Sequence, residues 1–178
     1  PPSTMRQQEA EALRFKGHYL FDNNKLQAAV DVFSAIEQSD VEIDRDDFDV
    51  SMEQALYYFR FGEALRRLDE TELAIKRYEQ ALALNASHLP TLEAIGPLYV
   101  ETQQWDQANR SFRQVLQLTG GQGDPGRLAR VYACLGTVEQ AQGNIVKASQ
   151  RFKKALDLQP NDVDALQGYA CVLYAQKD

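Results

Sequence analysis

Apolar residues in this chain recur three and four positions apart, the spacing that places them on one face of an α-helix. Within Ala55–Leu65, residues Tyr58, Phe61, Gly62 and Leu65 form one such stripe. After the short turn Leu68-Asp69-Glu70-Thr71, a second stripe follows through Leu73, Ala74, Tyr78, Ala81 and Leu82. Two stripes joined by a turn predict a helix–turn–helix unit.

The unit returns along the chain, and self-similarity at a fixed period identifies a repeat architecture. Glycines stand at Gly17, Gly62, Gly96 and Gly136. Twelve residues after each is an alanine: Ala29, Ala74, Ala108 and Ala148. Sixteen after each is an aromatic: Phe33, Tyr78, Phe112 and Phe152. Nineteen after each is a small or aliphatic residue: Ile36, Ala81, Val115 and Ala155. The second and third glycines are 34 residues apart, while the outer intervals of 45 and 40 imply the same period with two insertions. Small residues let the paired helices approach closely, and the aromatic and last small residue are expected to pack against the next unit. One unit cannot bury its apolar face alone, so units must stack. Capping signals are read at Ser51-Met52-Glu53-Gln54 ahead of the second unit, at Asp124-Pro125 ahead of the fourth, and at Gly143 in the fourth unit's turn.

The fullest unit carries Tyr132, Leu135, Gly136, Ala148, Phe152, Ala155 and Pro160, and the third carries Leu92, Ile95, Gly96, Tyr99, Ala108, Phe112 and Val115. This order of residues resembles the tetratricopeptide-repeat (TPR) family. The first unit departs most, with Lys16 where an aliphatic residue is usual, and only the fourth keeps the closing proline. The resemblance implies an all-α fold, a right-handed α-α superhelix (TPR solenoid) of four full helix–turn–helix repeats plus a terminal helix. It covers 1–178 as a single domain, with repeats at approximately 10–43, 55–88, 89–122 and 129–162, a partial unit at 163–178, and insertions at approximately 44–54 and 123–128. It also implies a non-catalytic protein–protein interaction scaffold or adaptor, binding a protein or peptide partner on a concave face lined by the first helix of each repeat. Fold names only a class of function, and the site must supply the rest.

Mapping the inward positions onto this chain gives Arg14, His18, Phe59, Arg60, Glu63, Arg67, Glu93, Pro97, Glu101, Arg130 and Thr137 as partner-binding candidates, with Phe15, Phe21, Arg66, Ala94, Cys134 and Gln140 beside them. Aromatics mixed with both charge signs suit a polypeptide ligand; Phe15, Phe21 and Phe59 could equally fill gaps between helices. Pro97 falls inside a helix, where it removes a hydrogen bond and is expected to kink it. The two-carboxylate clamp of many TPR co-chaperones is not reproduced. Its positions read Arg14, His18, Arg60, Pro90 and Ala94 in one register, and Glu93, Pro97, Cys134, Asp164 and Gln167 in another. Two rival readings stand beside the scaffold: a chaperone of secreted or assembling substrates, and a self-assembling structural protein.

Charge narrows the partner. The net charge is −7, which disfavours nucleic acid, whose binding leans on phosphate neutralisation. Residues 1–54 carry 5 Lys/Arg against 12 Asp/Glu, while residues 55–178 carry 14 of each. A partner steered by charge should therefore be basic where it meets the first third of the chain. No apolar run reaches the length of a membrane-spanning helix, and no basic region followed by an apolar core opens the chain. Cys134 and Cys171 read as packed, reduced thiols, a weak lean towards a reducing, cytoplasmic setting.

Candidate chemistry is thin, and no catalytic residue, metal or cofactor is expected. Asp40, Glu42, Asp44, Asp46, Asp47 and Asp49 invite a calcium-loop reading, but Arg45 and Ser51 stand where such a loop needs glycine and a bidentate glutamate. Gly120-Gly121-Gln122-Gly123 follows a helix and lacks the Lys-Ser/Thr ending of a phosphate loop. Lys147, Arg151, Lys153 and Lys154 read as a solvated helix face. The last helix is apolar for a terminal one, with Leu166, Ala170 and Leu173 on its stripe. Such an end is expected either to continue into further chain or to pack on a second copy as a homo-oligomer.

Overall fold

The computed structural model describes residues 2–38 and 48–176, with side chains described for 7–38 and 51–176. Among the described residues there are nine α-helices and no strand: α1 (Pro2–Asp22), α2 (Leu26–Glu37), α3 (Phe48–Arg67), α4 (Thr71–Leu84), α5 (Leu89–Glu101), α6 (Trp105–Thr119), α7 (Pro125–Ala141), α8 (Ile145–Leu158) and α9 (Val163–Ala175). Eight of them form four helix–turn–helix pairs, and α9 follows alone. The acidic stretch from Asp40 to Asp47 lies outside the described residues, as does the side chain of Asp49.

Each pair turns on one residue in the left-handed region. Asn24, Asp69, Gln103 and Gly143 have φ of 57°, 62°, 59° and 78°, and all stand at the same place in their repeats. Only the fourth pair uses glycine, the residue that adopts this conformation without steric cost. Asp124 caps α7, its carboxylate accepting from the Arg127 N–H at 2.8 Å, with Pro125 at the first helical position. The capping box expected at Ser51 is not formed. α3 begins at Phe48, which puts Ser51 inside the helix, where the backbone N–H groups it would cap already have helical partners.

The repeated glycine and aromatic meet within their own pair. A methyl group at Gly62 would lie 2.7 Å from carbons of the Tyr78 ring, and one at Gly96 would lie 2.6 Å from Phe112. The aromatic thus lies directly on its own glycine as well as on the next unit. Phe33 touches Tyr57 and Phe61 of α3, at centroid distances of 5.2 and 5.5 Å.

The chain divides into two compact units, Pro1–Thr91 and Leu92–Asp178. In the first, Ala29, Phe33, Ala55, Tyr57, Phe61, Ala74 and Tyr78 are buried between the helices of two pairs. The buried phenol of Tyr57 donates to the Phe33 carbonyl at 2.8 Å, which satisfies a hydroxyl that burial would otherwise penalise. Arg77 on α4 ties back to α2 through an ion pair with Glu37 and lies 4.5 Å over the Phe61 ring. In the second unit, Ala108, Phe112 and Val115 on α6 and Leu128, Val131, Leu135 and Val138 on α7 are buried. Phe152, Ala148 and Ala155 on α8 close with Ala133 on α7 and Ala165 and Val172 on α9 into one cluster.

Candidate functional site

In the first unit, α1 and α3 expose a common face. Near its N-terminal end a cleft of about 490 Å³ is lined by Glu11, Arg14, Phe15 and His18 from α1 and by Glu53 and Leu56 from α3. Phe15 is 82% exposed, so it fills no gap between helices. His18 is half-buried with its ring edge against Phe33, and its Nδ1 is buried without a partner among the described residues. Burial first, and then the positive charge of Arg60, lower its pKa to about 4, so the imidazole is neutral near pH 7.

One helical turn further on, the charged candidates converge. Arg60 and Arg67 lie over the Phe21 ring at 5.7 and 5.0 Å, within the range of cation–π attraction. Arg60 also pairs with Asp22 at 3.3 Å. Asp22 ends α1, where the helix dipole disfavours a carboxylate, and Arg60 offsets that. Glu63 accepts from Arg66 at 3.0 and 3.1 Å and from the Tyr78 hydroxyl, and Arg67 lies 3.8 Å away. Burial alone would raise the Glu63 carboxyl, but these hydrogen bonds and charges outweigh it and hold its pKa below the usual value. Phe59 points elsewhere, with its ring 6.1 Å from Tyr78 and 5.3 Å from His88.

In the second unit, Glu93 and Pro97 on α5 line a cleft of about 440 Å³ with Arg127 and Arg130 of α7. Arg127 pairs with Glu93 at 3.3 Å. A second cleft of about 530 Å³ takes Arg130, Cys134, Thr137 and Gln140 from α7 and Asp164, Gln167 and Cys171 from α9. The Thr137 hydroxyl donates to the Ala133 carbonyl at 3.2 Å. Burial, then the charge of Asp164, push the Cys134 thiol up to about 11, so it is not a ready nucleophile. Glu101, the last residue of α5, is exposed and lines neither cleft.

The helix pair α3–α4, with Gly62 under Tyr78, coincides with the part of the chain that a model described as "Tetratricopeptide repeat" matches, residues 55–88. That helix pair is a tetratricopeptide repeat. Superkiller protein 3 of Schizosaccharomyces pombe is 27% identical over 114 residues, which is 62% of this chain but 8% of that protein's length. The TPR fold extends well beyond the matched repeat. A MamA structure from Desulfovibrio magneticus RS-1, residues 41 to the end, superposes with a TM-score of 0.72 at 17% identity, covering 95% of this chain and 86% of that one. MamA AMB-1 gives 0.70 at 20% identity over 96% and 84% of the two chains. The Arabidopsis OM64 TPR domain gives 0.60 at 18% identity over 68% and 96%. At these identities the likeness speaks for the fold.

TPR register explains which site residues the sequence does not reveal. Asp22, Glu53, Leu56 and Arg127 join the candidates through contacts between successive first helices. Such helices are far apart in sequence, so no local motif marks their contacts. Among the described residues, no group of three His, Cys, Asp or Glu side chains is placed to hold a metal ion. No helix there is long and apolar enough to cross a membrane.

Proposed function

We propose that this TPR chain is a non-catalytic interaction scaffold that binds a polypeptide segment along the first-helix faces of its repeats. In the first unit the anchor is the group Phe21, Arg60 and Arg67. The observation that carries this reading is the stacking of two guanidinium groups on one half-exposed ring, a short distance along the same face from the uncovered Phe15. Aromatic and arginine side chains concentrate binding energy at protein interfaces. A face that offers an apolar cleft beside two arginines suits a segment carrying an apolar side chain followed by a carboxylate.

The test compares the intact chain with Arg60→Gln/Arg67→Gln as baits for affinity capture from the native source. Glutamine is chosen over glutamate because Asp22 lies 3.3 Å from Arg60 and a second carboxylate there would strain the fold. A protein retained by the intact chain and lost by a variant of unchanged helicity supports the reading. If both baits retain the same proteins, this face is not the site.

A further inference from the structure

The second helices of the second unit carry a charge that those of the first do not. α6 and α8 hold six Lys/Arg against Asp106 and Asp157, whereas the rest of residues 92–178 holds three Lys/Arg against seven Asp/Glu. In the first unit, α2 carries two carboxylates and no cation, and α4 carries two of each sign. α6 buries Ala108, Phe112 and Val115, and α8 buries Ala148, Phe152 and Ala155; both turn their cations outward. Arg110, Arg113, Lys147, Lys153 and Lys154 are exposed, and Arg151 is partly so. The starts of the two helices adjoin, since Gln142, just before α8, donates to Asp106 in the first turn of α6 at 3.1 Å.

These six cations are not neutralised by the fold. The ion pairs among the described residues involve Arg60, Arg66, Arg67, Arg77 and Arg127, and none of the six. Lys147, Arg151 and Lys154 follow the four- and three-residue spacing that sets side chains above one another on a helix, and Arg110 and Arg113 do the same. Like charges at that spacing weaken a helix. We propose that the α6–α8 face, distinct from the first-helix faces above, docks an acidic polypeptide segment of a partner protein. Its carboxylates pair with the stripe Lys147, Arg151 and Lys154 and with the cations beside it. The stripe runs about 10 Å along α8, the length over which a partner helix presents carboxylates at the same spacing.

Other polyanions fit this face less well. A bilayer surface is held by cations interleaved with apolar side chains that insert, but the exposed residues from Lys147 to Lys154 are all polar. Single-stranded nucleic acid is held by aromatic platforms beside the cations, but Phe112 and Phe152 are buried. A long polyanion would also meet the chain's net charge of −7, which a short acidic segment seated here avoids.

The probe is a fluorescein-labelled peptide of four Glu-Glu-Ala repeats, with Gln-Gln-Ala repeats as its control, each titrated into the full chain by fluorescence anisotropy. The glutamate peptide should bind, more weakly as salt rises, and the glutamine peptide should not. Lys147→Gln/Arg151→Gln/Lys154→Gln should weaken binding roughly tenfold, because three exposed pairs are lost together. Lys16→Gln/Lys25→Gln/Lys76→Gln removes the same charge from exposed positions of the first unit and should leave binding unchanged. Circular dichroism should show parental helicity in both variants. The proposal is overturned if the glutamate peptide does not bind, or if the two triple variants weaken it equally. It is also overturned if phosphatidylserine/phosphatidylcholine vesicles or single-stranded DNA bind more tightly than the peptide and the first variant loses that binding. Sedimentation of the chain as an oligomer that the first variant dissociates would likewise overturn it, since a second copy then owns the face.

Discussion

Replacing Gly136 with alanine sets two effects of known sign against each other. Alanine is the better helix former by about 1 kcal/mol, so on propensity alone α7 would gain. The added methyl, however, would lie 2.7 Å from two carbons of the Phe152 ring and 2.9 Å from a third, well inside ordinary contact. The ring has little room to retreat. It is 1% exposed, with Ala148, Ala155, Ala165 and Val172 in the same buried cluster, and Gly168 of α9 is as close on another side. Overpacking of this kind costs about 1–3 kcal/mol, and the enclosed ring argues for the upper part of that range. Gly136→Ala should therefore destabilise the second unit by about 1–2 kcal/mol after the propensity gain. Urea unfolding followed by the fluorescence of Trp105, the single tryptophan, reads the unit that contains both residues. Adding Phe152→Leu should make the double variant lose less than the sum of the single losses, the signature of a shared contact. A Gly136→Ala protein as stable as the parent, with an unchanged urea slope, would refute the idea that the glycine is there to admit the ring.

Two further outcomes are expected. Gln103 holds φ of 59° in the turn between α5 and α6, so Gln103→Gly should relieve strain and stabilise by about 1 kcal/mol; a lower urea midpoint would contradict this. His18 takes a proton near pH 4 when folded and near 6.5 when unfolded, so the unfolded chain binds more protons between those values. Its contribution to stability is full above about pH 6.5 and is lost as the pH falls towards 4. His18→Gln should flatten that acid branch of urea midpoint against pH, and an identical profile in both proteins would count against the shift.

The candidate face was only partly legible before folding. Arg14, His18, Arg60, Glu63 and Arg67 could be placed on first helices from the repeat register alone. The register could not separate Phe15 from Phe59. Both sit on first helices, yet Phe15 projects into a solvent-open cleft while Phe59 stacks on Tyr78 and His88. Ser51 misled for a related reason. Its spacing to Gln54 fits a cap, but spacing does not tell whether the helix has already begun, and α3 starts at Phe48.

The sequence by itself determined the repeat, its 34-residue period, the helix–turn–helix content and the pairing of each glycine with an aromatic sixteen residues on. All of these follow from local periodicity and from the need for small and large groups to fit together within one unit. Tertiary structure alone decided which polar groups are engaged: Arg60 with Asp22, Arg127 with Glu93, and Glu63 with Tyr78 as well as Arg66. It also decided that one apolar stripe of α9 is buried and the other open. These outcomes depend on contacts between helices distant in the chain, where side-chain reach and the neighbouring surface select one arrangement among several that local patterning permits equally.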